Sequence, residues 1–97
     1  MAYRVVWSPK AVEDVEAIAG YIARDSPSYA AAVVCRVIEI TNNLQHDAKQ
    51  GRLIPEIEES TIIEQFAYSY RLIYRVQEDT VTVIALIHGK RLLYLTE

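Results

Sequence analysis

The sequence predicts a two-layer α+β domain. An N-terminal strand and an antiparallel helical hairpin pack on a mainly antiparallel sheet of four to five strands. Three observations predict this. Ser-Pro occurs twice, as Ser8-Pro9 and Ser26-Pro27, each time ahead of an apolar stripe with three- and four-residue steps. The last third alternates apolar and polar residues on both sides of an acidic Glu78-Asp79 turn, the pattern of paired strands. Helical patterns precede the run of strand patterns instead of alternating with them, which favours helices gathered on one face of the sheet.

Taken in order, Tyr3 to Trp7 is a short β-rich run ended by Ser8-Pro9. Ala11, Val12, Val15, Ile18, Ala19 and Ile22 form the apolar stripe of a helix reaching about Arg24, with Glu13, Asp14 and Glu16 on another face near the positive end of its dipole. Ser26-Pro27 starts a second helix with Ala30, Val33, Val34, Val37, Ile40, Thr41 and Leu44 on its stripe. Arg52 to Ile57 is extended. Thr61 to Phe66, Tyr70 to Val76, Thr80 to Ile87 and Lys90 to Leu95 read as strands, and 80 to 87 is apolar enough to be central.

Composition narrows the function. At 97 residues the chain holds one domain, spanning 1–97, and leaves no room for a separate cofactor-binding unit. A net charge of −3 argues against coating nucleic acid, which requires an excess of cations, so any phosphate contact must come from a local cluster. No segment has the roughly 18 apolar residues of a membrane span, which makes the cytoplasm the default location. His46 and His88 without neighbouring cysteines do not make a metal site, and no cofactor is expected. Cys35 reads as core packing. Ser8, His88 and a carboxylate lack a nucleophile-elbow motif, so a hydrolase triad is unsupported.

The candidate site is the end of the strand over 80–87. There His88-Gly89-Lys90-Arg91 brings one imidazole and two cations together, with Gly89 serving the turn. Arg71 and Arg75, four apart on one strand, share a face; salt bridges to Glu64 and Glu78 are their structural alternative. Tyr68, Tyr70, Tyr74 and Tyr94 are expected on the sheet face away from the helices, as a binding surface. Tyr3, Tyr21, Tyr29 and Trp7 read as core or hairpin packing. The groove between hairpin and sheet is expected to receive a partner helix, because two helices this apolar exceed what so small a domain buries.

Val6-Trp7-Ser8-Pro9-Lys10-Ala11, Gly51-Arg52 with Pro55-Glu56, Tyr70 to Val76, and Ile87 to Arg91 together resemble the RelE/ParE family of bacterial toxins. These are the toxic halves of type II toxin–antitoxin pairs, known also as plasmid stabilisation proteins. The resemblance covers nearly the whole chain in order. It implies a growth inhibitor neutralised by a cognate antitoxin, as a homodimer or as a heterotetramer with that antitoxin. It also implies one of two activities: ParE-like inhibition of DNA gyrase and replication, or RelE-like cleavage of mRNA on the ribosome.

As an endoribonuclease the chain would use Arg52, Arg71 and Arg91 on the phosphate, with His88 or Tyr94 moving protons. As a gyrase inhibitor it would present Arg71, Arg75, His88, Lys90 and Arg91 to its target. Two departures separate it from RelE-like nucleases. The strand Thr61-Ile62-Ile63-Glu64-Gln65-Phe66 lacks their basic residues, and Tyr94 sits closer to Arg91 than their tyrosine does. Glu56, Glu58, Glu59 and Glu64 add acidity where a ribosome-docking enzyme needs cations, so the ParE-like activity is favoured. A member retaining only antitoxin binding is the third reading.

Overall fold

Both Ser-Pro signals start helices by the expected mechanism. In the computed structural model, which describes residues 2–54, 56–57 and 61–91, Ser8 and Ser26 are N-caps. The Ser8 hydroxyl accepts from Ala11 N at 3.1 Å, and that of Ser26 accepts from Tyr29 N at 3.2 Å. Each satisfies one backbone donor that a helix start leaves open, worth about 1 kcal/mol. The helices are α1 (Pro9–Ala23) and α2 (Pro27–Asn43), with a three-residue turn between them. Among the described residues no helix is long and apolar enough to cross a membrane.

The strands are β1 (Arg4–Trp7), β2 (Arg52–Leu53), β3 (Ile62–Ala67), β4 (Tyr70–Gln77) and β5 (Thr80–His88). They form one sheet in the order β1-β5-β4-β3-β2, antiparallel except that β1 runs parallel to β5. The most continuously apolar strand, β5, therefore lies inside the sheet as its sequence demands, and the architecture is the expected α+β one. Of the strand expected over 90–95, Lys90 and Arg91 belong to a turn, and the rest, Tyr94 included, lies outside the described residues.

The helix-side core joins Val33, Val37, Ile40 and Leu44 of α2 and its loop to Ile63, Leu72, Tyr74, Val81, Val83 and Leu86 of the sheet. Strand parity puts Tyr70 and Tyr74 there too, on the same side as Leu72. The tyrosine-lined open face expected from the sequence is thus not formed. Instead Ile54, Ile62, Ile73, Ala85 and Ile87 make a second apolar cluster on the far face. Tyr68 lies in the β3–β4 turn, exposed and at φ 57°, with its ring edge-to-face on Tyr29 at 5.8 Å.

β5 switches parity at Ile84-Ala85. Ile73 pairs with Ala85 but Tyr74 with Val83, so Ile84 is an extra residue in the ladder. The bulge lets Val81, Val83 and Leu86 all reach the helices while Ala85 and Ile87 reach the other face.

Beyond the end of β1, α1 takes over as β5's neighbour. Ser8 N donates to Val83 O at 3.0 Å, Ser8 Oγ to Ile84 O at 3.2 Å, and Leu86 N donates to Asp14 Oδ2 at 3.1 Å. Asp14 is therefore a strand acceptor, and α1 has no acidic residue in its first turn to meet its dipole.

Three other expectations change. Cys35, Val12 and Tyr21 are exposed. Cys35 stands two residues from both Val33 and Val37, about 200° round the helix from the buried stripe.

The Tyr74 hydroxyl donates to Gln50 O and accepts from Gln65 Nε2 at 3.1 Å. Burial raises its pKa above the ordinary 10.0. The folded state therefore keeps this proton to higher pH than the unfolded chain does. Stability should hold up to about pH 10 and fall as pH rises through the raised folded value. In urea titrations the alkaline fall should be shallower for Tyr74→Phe. An equal fall in both proteins would contradict this assignment.

Candidate functional site

On the sheet face away from the helices, alternation brings Glu64 and Phe66 of β3 and Arg71, Ile73 and Arg75 of β4 to one side. Arg52 of β2 is directly opposite Glu64. A lone carboxylate cannot sit in so dry a place, and Glu64, fully buried, holds two cations. Its Oε1 accepts from Arg71 Nε at 2.6 Å and its Oε2 from Arg52 Nε at 2.5 Å.

Arg71 is itself only 4% exposed. Glu56, in the short segment after β2, grips the far end of its guanidinium with two bonds of 2.7 and 3.0 Å. The Arg71 NH1 group also donates to the carbonyl of Arg91 at 2.9 Å. The bond to Glu56 raises Arg71's pKa, and Glu64 adds to this against the opposing cost of burial. The cation is permanent and internally neutralised. Arg52, more exposed, also lies over the Phe66 ring, 5.2 Å from its centre.

Gly51 seats this arrangement. At φ 122° it approaches β3 so closely that a Cβ would stand 2.7 Å from the carbonyl oxygen of Glu64. With Gln65 Nε2 donating to Gln50 O at 3.0 Å, the chain entering β2 is fixed and Arg52 is held beside Glu64.

His88 is elsewhere. It is paired with Tyr70, and its ring meets the Tyr70 ring edge-on at 5.5 Å, on the helix side of the sheet. The imidazole and the buried Arg71 are therefore on opposite faces. Lys90 and Arg91 are exposed in the turn after β5, and Arg75 is half-buried on the Arg71 face.

The structure thus joins Arg52, Arg71 and the Arg91 carbonyl, and puts the His88 imidazole on the other face of the sheet from Arg71. Arg71 is corrected from a target-contacting cation to a buried one. Its ion pair with Glu64 is the structural alternative weighed above. The role of Glu56 was not anticipated, because it depends on a contact 15 residues away. Among the described residues no cluster of three or more His, Cys, Asp or Glu is arranged to hold a metal.

Two carboxylates face Arg71, and removing the deeper one would leave a buried cation underpaired. Glu64→Leu should lower unfolding free energy by about 3 kcal/mol. Adding Arg71→Met should recover much of that loss, since the orphaned charge goes with it. Urea midpoints of the two variants check this; equal destabilisation by Glu64→Leu with and without Arg71→Met would contradict it.

A family model described as the ParE toxin of the type II toxin–antitoxin system matches residues 5–93. No curated protein matches the sequence significantly. Similar solved folds include the chromosomal ParDE system of P. aeruginosa, with TM-score 0.70 and 22% identity over 92% of this chain and 98% of that one. The RelBE2 toxin–antitoxin complex of Mycobacterium tuberculosis gives 0.62 and 22% over 91% and 99%. The archaeal RelE–RelB complex of Pyrococcus horikoshii gives 0.64 and 18% over 95% and 100%. At these identities the structural likeness speaks for the fold, and the family match for membership. The chain belongs to the ParE toxin family, within the RelE/ParE toxins of type II toxin–antitoxin systems.

Proposed function

We propose that this toxin acts as a ParE-like inhibitor of DNA gyrase, and not as a ribosome-dependent nuclease. The observation that carries the proposal is the neutralisation of Arg71 and Arg52 by Glu64 and Glu56. Cleavage through a ribose hydroxyl needs cations free to meet a doubly charged phosphorane and a proton-transfer group beside them. Here carboxylates occupy Arg71 and the Nε of Arg52, and the His88 imidazole faces the other side of the sheet from them. Binding a protein target has no such requirement. The exposed cations at the end of β5, Lys90 and Arg91, with His88, supply the contact surface.

In the cell the protein is held by a cognate antitoxin in the cytoplasm. A groove of about 410 Å³ along β2, lined by Lys49, Gly51, Arg52, Leu53, Thr61, Ile63 and Val76, suits an apolar segment of that partner. Leu53 is 57% exposed and gives the groove an apolar rim.

The test is expression without antitoxin while DNA and protein synthesis are pulse-labelled in the same cells. DNA synthesis should fail first, with linearised plasmid and an SOS response. Translation failing first, with mRNAs cut in coding regions, would contradict the proposal.

A further inference from the structure

The turn after β5 is more rigidly built than an exposed loop normally is. All three of its backbone donors are used: Gly89 N donates to Ser69 O at 2.7 Å, Lys90 N to His88 Nδ1 at 3.2 Å, and Arg91 N to His88 O at 2.9 Å. The turn is also pressed onto the sheet. A Cβ at Gly89 would stand 2.9 Å from Ser69 O and 3.0 Å from Phe66 Cε2, so only glycine fits without a shift.

The turn's two anchors meet in the buried charge cluster. At Gly89 the space a side chain would need is taken by the Phe66 ring, which carries the Arg52 guanidinium above it. From Arg91 the carbonyl is held by Arg71, which bonds Glu64, which bonds Arg52. The circuit closes on Arg52. Glu56 fixes the Arg71 guanidinium from the other end, so the group reaching Arg91 has no freedom to swing.

What this frame presents is charge. Residues 80–91 contain no Asp or Glu, in a chain whose net charge is −3, and Lys90 and Arg91 are both exposed. We infer that Arg71, Glu64, Glu56 and Arg52 are positioning residues that hold the 89–91 turn in one shape, presenting Lys90 and Arg91 to a carboxylate-bearing surface of the protein target. Two side-chain cations are too few to hold a nucleic acid through its phosphates, which favours an acidic protein surface. Preorganising them removes an ordering cost from binding and adds electrostatic steering. This rests on the gyrase reading for the target's identity but not for the frame.

The frame is tested first without any target, by amide hydrogen exchange on the whole chain. Glu56→Gln and Arg52→Ala alter groups at the rim of the cluster, and circular dichroism confirms that both variants fold. Exchange at Gly89 and Arg91 should rise on the order of tenfold or more, while the β4–β5 ladder is unchanged. Unchanged exchange at both amides in folded variants would overturn the frame.

Presentation is tested next, by inhibition of purified gyrase. Arg91→Ala and Glu56→Gln should each weaken inhibition, and the double variant should be little weaker than Arg91→Ala alone. Independent, additive losses would overturn the positioning role. Chemical-shift changes at 89–91 on adding a single-stranded oligonucleotide, with inhibition insensitive to Arg91→Ala, would overturn the protein-surface assignment. No inhibition of gyrase by the wild type would instead count against the proposed function, leaving the exchange result to stand by itself.

Discussion

The far face of the sheet depends on one carboxylate. Glu64 is fully buried, and its desolvation is tolerable only because Arg71 and Arg52 each give it a charge-assisted bond. Once Glu64 is in place, much else is constrained. Arg52 must stay at the β2 edge, which requires Gly51 to pass close to β3. Arg71 must give its Nε to Glu64, which leaves its other end to Glu56 and the Arg91 carbonyl. The polar cluster then sits beside the apolar one of Ile54, Ile62, Ile73, Ala85 and Ile87, and together they cover a face that the helices do not reach.

This arrangement bears directly on what a shared fold can do. The ParDE and RelE–RelB structures both share this chain's fold, so backbone shape does not by itself choose an activity. Local chemistry differs more. An arginine that faces solvent can meet a phosphate, whereas Arg71 has four of its five N–H donors committed to two carboxylates and a carbonyl, and cannot turn its fork to a phosphate without breaking a buried pair. The cost of that exchange, several kcal/mol for a buried charge, makes Arg71 a structural cation. The exposed charge lies in the turn after β5, at Lys90 and Arg91.

How much of this was legible in the sequence follows from how local each signal is. The helices were, because Ser8-Pro9 and Ser26-Pro27 act within a turn and the stripe from Ala30 to Leu44 has one clear period. The central place of β5 was, because an unbroken apolar strand must be covered on both sides. The tyrosine face was not: a strand pattern fixes which residues share a side but not which side meets the helices, and Tyr70 and Tyr74 went with Leu72 to the core. The bulge at Ile84-Ala85 hid the parity of β5 as well. The candidate site was half legible. Glu64 as a partner of Arg71 could be read across the β3–β4 ladder, whereas Glu56 comes from an irregular segment whose path no periodicity encodes.

The central claim is that Arg71 is a buried, internally neutralised cation and no receptor for phosphate. It is tested most directly by following the Arg71 Nε–H signal by NMR as inorganic phosphate, then a single-stranded RNA oligonucleotide, is added. A slowly exchanging signal that neither ligand moves is the result expected. A rapidly exchanging signal with a saturable shift on either addition would show an arginine open to phosphate and would contradict the account.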